Sequence, residues 1–107
     1  MRKVFLDTNI LLDYGQERDE YEAANAIYKL GETGLAELYA SYLSYAHLGY
    51  ILRHCPQAER YELISKMREG IMVLPCDSAQ LDVTIRNPVK DYEDMLQYQC
   101  AFFKSLD

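Results

Sequence analysis

The chain has 107 residues; half are apolar (Tyr and Cys included), 26% are charged, and the formal net charge is −6 at neutral pH. That length predicts one domain, residues 1–107, and the composition is that of a globular chain rather than a disordered tail. The acid excess argues against a general nucleic-acid binder, because counterion release needs clustered Lys or Arg. A nucleic-acid substrate would need a bridging metal cation, a local basic patch or a partner chain.

No apolar run comes near the roughly 20 residues of a membrane-spanning helix, so no membrane partner is expected. Met1-Arg2-Lys3 leads into only a handful of apolar residues before Asp7. A secretory leader is therefore not expected, and the chain is assigned to the cytoplasm. Cys55, Cys76 and Cys100 are odd in number and irregularly spaced. They fit neither a zinc-ligand spacing nor a disulfide framework, and read as separate small core residues in a reducing compartment.

Lys3-Val4-Phe5-Leu6 is a short apolar run ended by Asp7-Thr8-Asn9, the pattern of a buried strand feeding a helix. Ile10-Leu11-Leu12 opens that helix and Gly15 closes it. Asp19 with Glu22 resembles a capping box for a second helix, along which Tyr21, Ala24, Ile27 and Tyr28 recur at helical spacing until Gly31 and Gly34. Leu38-Tyr39-Ala40 is the second strand. Residues Tyr42 to Leu52 are apolar on nearly every side, which predicts a helix buried on most faces. Pro56 closes it, and an amphipathic helix follows from Ala58 to Glu69, ended by Gly70. Ile71-Met72-Val73-Leu74 is the third strand. Asp77 with Gln80 forms another capping pair, opening a helix that Asn87-Pro88 ends, and a last helix runs from about Asp91 to Lys104. Alternating strands and helices imply an α/β fold with a parallel sheet and right-handed crossovers.

Ligands in an open parallel sheet sit beyond the carboxyl ends of the strands. Asp7, the first residue after the first strand, would point there. Helix capping explains one polar residue at that junction, but three stand in succession. Asp91-Tyr92-Glu93-Asp94 opens the last helix, where acids suit the helix dipole. Asp91 and Asp94 share a face at i, i+3 beside an apolar stretch, where an uncompensated carboxylate is costly. Carboxylates converging from separate elements are what Mg²⁺ or Mn²⁺ requires.

Val4 to Asp13, with its strand ending in Asp7-Thr8-Asn9, resembles the opening of PIN-domain proteins. Ala40 to Leu48 resembles the family's second motif, in which a Ser or Thr stands three residues before an acid. Asp91 to Gln97 resembles its third motif. The three in order span residues 3 to 104. The resemblance implies a three-layer α/β/α fold around a central parallel sheet, and an endoribonuclease dependent on Mg²⁺ or Mn²⁺. Such proteins are often the VapC-type toxin of a toxin–antitoxin pair, a homodimer held by its cognate antitoxin. By similarity, Asp7 and Asp94 would be metal-binding catalytic acids, with Asp91 a further candidate ligand. Thr8, Asn9, Ser44 and His47 would support the site. Two departures stand out. His47 occupies the place of the family's second acid, and imidazole suits Zn²⁺ or Mn²⁺ better than Mg²⁺. The chain also ends before the family's next strand and the acid that follows it. These departures leave a second reading: a PIN-like domain that no longer cleaves and serves as a binding or interaction module.

The chain has ten tyrosines, and Tyr42, Tyr45 and Tyr50 crowd one helix. No Lys or Arg interleaves them, so core packing or a dimer interface is expected over base stacking.

Overall fold

The structure, a computed structural model, describes residues 2–103. The described residues form β1 (Arg2–Phe5), α1 (Thr8–Gly15), α2 (Tyr21–Glu32), β2 (Ala36–Ser41), α3 (Tyr42–Ile51), α4 (Gln57–Arg68), β3 (Ile71–Leu74), α5 (Ser78–Arg86) and α6 (Tyr92–Phe103). The three strands make one parallel sheet in the order β1-β2-β3, with Val4 beside Leu38 and Ala40 beside Val73. The expected α/β class and parallel sheet are both present. The expected end of the last helix at Lys104 lies outside the described residues.

The central strand explains why the sheet needs helices on both sides. Successive side chains of a strand face opposite ways. Ala36, Leu38 and Ala40 on one face are buried, and so are Tyr39 and Ser41 on the other. β2 is longer than the three residues read from the sequence because Ala36 and Glu37 pair with β1 at one end and Ser41 pairs with β3 at the other. Gly34 and Gly70 turn the chain from α2 into β2 and from α4 into β3, with φ of 79° and 78°. At such angles a Cβ is strained, so glycine is the residue that closes these helices cheaply.

The core gathers Leu6, Leu11, Leu12, Leu38, Leu48 and Met67. Tyrosines finish it. The rings of Tyr14 and Tyr28 stack with centroids 3.7 Å apart. The hydroxyls of Tyr28 and Tyr45 both donate to the backbone carbonyl of Met67, at 2.7 and 3.2 Å. Met67 lies in the last turn of α4, where carbonyls have no partner within the helix. Two tyrosines from α2 and α3 satisfy it. Burial pushes the Tyr45 phenol up to about 12 and that of Tyr28 higher still, so both stay protonated and keep donating.

Three expectations are corrected. α3 is not buried on most faces: only Ser44 and Leu48 are buried, while Tyr42 and Tyr50 are 64% and 62% exposed. Tyrosine rings tolerate water, so a helix rich in them need not be enclosed. Asp19 does not cap α2; Glu20 holds that position without a side-chain bond. The capping box of Asp77 and Gln80, by contrast, is present.

The cysteines are not three separate core residues. Cys76, just after β3, and Cys100, in α6, form a disulfide with their Cα atoms 5.7 Å apart, and Cys55 is free. Spacing along the chain carries no sign of this, because the pairing depends on α6 folding back over the end of β3. The bond also removes the cysteine-based reason for placing the chain in a reducing compartment. No helix among the described residues is long and apolar enough to cross a membrane.

Thiol titration of the denatured protein without reductant is expected to find one reactive group, Cys55, and three after reduction. Three before reduction would contradict the pairing. The Cys76→Ser, Cys100→Ser double variant is expected to lose about 2–4 kcal/mol of stability in urea unfolding.

Candidate functional site

The site begins where β1 stops. The Leu6 N–H donates to the Tyr39 carbonyl at 2.7 Å, and the Leu6 side chain is fully buried. The chain is therefore still tied to the sheet when it reaches Asp7. Asp7 is extended, with φ −85° and ψ 173°, and its Oδ1 accepts from the Ile10 N–H at 3.0 Å. It caps α1, and this single bond occupies one oxygen of the carboxylate. Ser41 does the same at the end of β2, accepting from the Ser44 N–H at 3.3 Å. Asp91 opens α6 in the same way, its Oδ1 accepting from the Asp94 N–H at 3.0 Å.

These three helix starts meet. Asp7, Thr8, Asn9, His47, Ile51, Asp91, Glu93, Asp94 and Gln97 line one open cleft of about 260 Å³. The residues singled out in the sequence thus converge, except that Ser44 lies fully buried outside the lining. Ser44 nevertheless takes part in a closed ring of hydrogen bonds. The Thr8 hydroxyl donates to Ser44 Oγ at 3.0 Å, and the Ser44 hydroxyl donates to Gln97 Oε1 at 3.3 Å. Gln97 Nε2 completes the circuit by donating to Thr8 Oγ1 at 3.4 Å. Each member gives and receives once within the ring. Gln97 was missed as a site residue in the sequence. The available signal was its position three residues after Asp94, which puts both on one face of α6.

The electrostatics reflect crowded acids. Asp94 titrates above the ordinary carboxylate range, chiefly because its protonated form hydrogen-bonds to Asp91, and next because of the Asp91 charge. Partial desolvation, Asp7 and Glu93 add to the effect. His47 stands across the cleft with Nδ1 3.9 Å from Glu93 Oε2, a contact that is ionic only when the imidazole is protonated. His47 on α3 and Glu93 on α6 thus face each other at the cleft.

Among the described residues, no group of three or more His, Cys, Asp or Glu side chains is gathered closely enough to hold a metal ion. The donor chemistry still suits a hard divalent cation. Mg²⁺ keeps several waters and is commonly held by one or two carboxylates. Asp7 and Asp94 line the same cleft, and after the hydrogen bond to Asp91 the upward pull on Asp94 includes repulsion by Asp91, Asp7 and Glu93, which bound positive charge would relieve.

A parallel α/β sheet that delivers acids from separate helix starts into one cleft defines the structural class. A family model described as PIN domain matches residues 3–107, and the chain belongs to that family. The PIN domain is associated with nuclease activity, RNA binding and a general dependence on divalent metal. No curated protein and no solved structure matches the chain.

Asparagine caps helices as well as aspartate, whereas alanine does not. Asp7→Asn is accordingly expected to keep the unfolding free energy in urea within about a few tenths of a kcal/mol, while Asp7→Ala loses about 0.5–2 kcal/mol. Ser44→Ala, which breaks the ring at its buried member, is expected to cost about 1–3 kcal/mol.

The raised Asp94 titration fixes the sign of a pH effect. The folded state holds the Asp94 proton to a higher pH than the unfolded state does. Its contribution to stability therefore falls as pH rises from the ordinary carboxylate range through the raised Asp94 value. Carboxyl-carbon NMR is expected to show Asp94 titrating above a normal aspartate, and moving down in Asp91→Asn.

Proposed function

We propose that this chain is an endoribonuclease that hydrolyses RNA phosphodiester bonds with Mg²⁺ or Mn²⁺ in the cleft of Asp7 and Asp94. The observation that carries the reading is the convergence of these two carboxylates, 87 positions apart in sequence (94 − 7), on one cleft at the carboxyl end of β1. Both belong to the motifs that resemble the family's.

Hydrolysis breaks one phosphorus–oxygen ester bond and adds water across it. When bound, the divalent cation supplies positive charge facing the phosphate and makes a nearby water more acidic. The protein's own part is positioning. Asp7 and Asp94 would hold the cation, with Asp91 a further ligand beside Asp94. Thr8 and Ser44 fix the start of α1 through the ring with Gln97. Asn9, exposed at the cleft mouth, can donate to a phosphate oxygen. His47 and Glu93 close one side. An acidic chain of net charge −6 gains little from the phosphate backbone directly, which makes the cation the bridge to substrate.

We extend the reading to a VapC-type toxin of a toxin–antitoxin pair, acting in the cytoplasm as a homodimer restrained by a cognate antitoxin protein. Its support is the motif resemblance. A second reading keeps the fold and drops the chemistry: a PIN domain that binds without cleaving. What favours it is the imidazole of His47 in place of an acid, together with the lack of a three-ligand cluster among the described residues.

Cleavage of a structured RNA in Mg²⁺ or Mn²⁺ is expected, abolished by EDTA and reduced about a hundredfold or more in Asp7→Asn and in Asp94→Asn. Cleavage that survives EDTA would overturn the metal-dependent reading. No cleavage by folded protein in either ion would overturn the nuclease and favour the domain that binds without cleaving.

A further inference from the structure

A second depression adjoins the acidic cleft, a groove of about 310 Å³ between α3 and α6 lined by Leu43, Ala46, His47, Glu93, Leu96 and Gln97. Three of these residues, His47, Glu93 and Gln97, also line the cleft, so the two spaces adjoin. The walls away from the cleft are aliphatic: Leu43 and Ala46 on α3 and Leu96 on α6. The polar groups sit at the shared end, where the Glu93 carboxylate is 71% exposed. Among the described residues that line the groove there is no Lys or Arg. Its volume is near the lower end of the roughly 300–1,000 Å³ of small-ligand sites.

We infer that this groove holds one unpaired nucleobase of the RNA whose phosphate faces the acids. The inference rests on the nuclease reading and adds to it a subsite for one base beside the acids. A phosphate would be repelled from such a place, since it is apolar and its polar end carries a carboxylate. A base fits both halves: its flat faces are apolar and its edge carries hydrogen-bonding groups. The Glu93 carboxylate, when ionised, only accepts hydrogen bonds, so it favours bases that present an exocyclic amino group. Adenine and cytosine present one and uracil does not. A base in a duplex has its edge occupied and its faces stacked, so it cannot enter.

The test is fluorescence anisotropy with short labelled oligo(A), oligo(C) and oligo(U) and with an RNA duplex, using Ca²⁺ in place of Mg²⁺ to hold back cleavage. Single-stranded oligo(A) and oligo(C) are expected to bind about tenfold more tightly than the duplex, and oligo(U) more weakly than either. Ala46 is exposed on α3, and Ala46→Trp fills the groove. It is expected to lose about tenfold in single-strand affinity, while Ala23→Trp, exposed on α2, loses none. Unchanged affinity in folded Ala46→Trp overturns the inference and leaves the groove to a protein partner.

Photo-crosslinking of RNA bearing 8-azidoadenosine to the native protein covers the case in which Ala46→Trp fails to fold. Adducts are expected on residues 43–47 and 93–97, and adducts elsewhere overturn the inference. The two readings fail separately. Cleavage with no effect of the groove removes only this inference, and groove binding without cleavage removes only the nuclease.

Discussion

Three hydrogen bonds among Thr8, Ser44 and Gln97 join the starts of α1 and α3 to the second turn of α6. Side chains from positions 8, 44 and 97 have no local reason to meet. What brings them together is the parallel sheet, which ends β1 and β2 side by side, and α6, which packs against β2 and α5. Because Ser44 is fully enclosed, its hydroxyl must be satisfied within the protein, and the ring does that. Displacing α6 would leave a buried polar group without a partner. The position of Asp91, Glu93 and Asp94 over Asp7 is thus tied to a cost that the core enforces.

The acids above the ring are held by helix geometry. Asp7 and Asp91 each cap a helix and gain from its unpaired N–H groups. This lets several negative charges share one cleft despite their repulsion, which adds to the hydrogen bond with Asp91 in raising the titration of Asp94. Capping and metal binding are therefore compatible roles, since a cap engages one oxygen and leaves the carboxylate facing the cleft. The disulfide of Cys76 and Cys100 adds a covalent tie between the end of β3 and α6, the helix that carries Glu93 and Asp94 and is capped by Asp91.

The order of strands and helices was legible because each element carries its own period and its own stop signal. Gly34 and Gly70 mark their turns in the sequence and adopt left-handed angles in the structure. Asp7, Asp91 and Asp94 were legible as candidates because they stand at helix starts or in a first turn, and the fold brings them to one cleft. The remainder was not local. Gln97 reads as one polar residue in a mixed helix until Thr8 and Ser44 are seen beside it. Cys76 and Cys100 look unrelated until α6 folds back. α3 shows the opposite error: its run of apolar and tyrosine residues predicts enclosure, yet Tyr42, Ala46 and Tyr50 face outward. Composition distinguishes apolar from polar, but not a face that packs from a face that borders a groove.

The central claim is that a divalent cation belongs in the cleft of Asp7 and Asp94 and not simply wherever acids gather. The protein contains its own control, since Glu17, Glu59 and Glu62 line a separate open depression. Substoichiometric Mn²⁺, followed by paramagnetic broadening of backbone amide NMR signals, separates the two. The account predicts broadening centred on Asp7, Thr8, Asn9 and residues 91–94. Broadening centred on Glu17, Glu59 and Glu62, or weak broadening spread over all exposed acids, would contradict it.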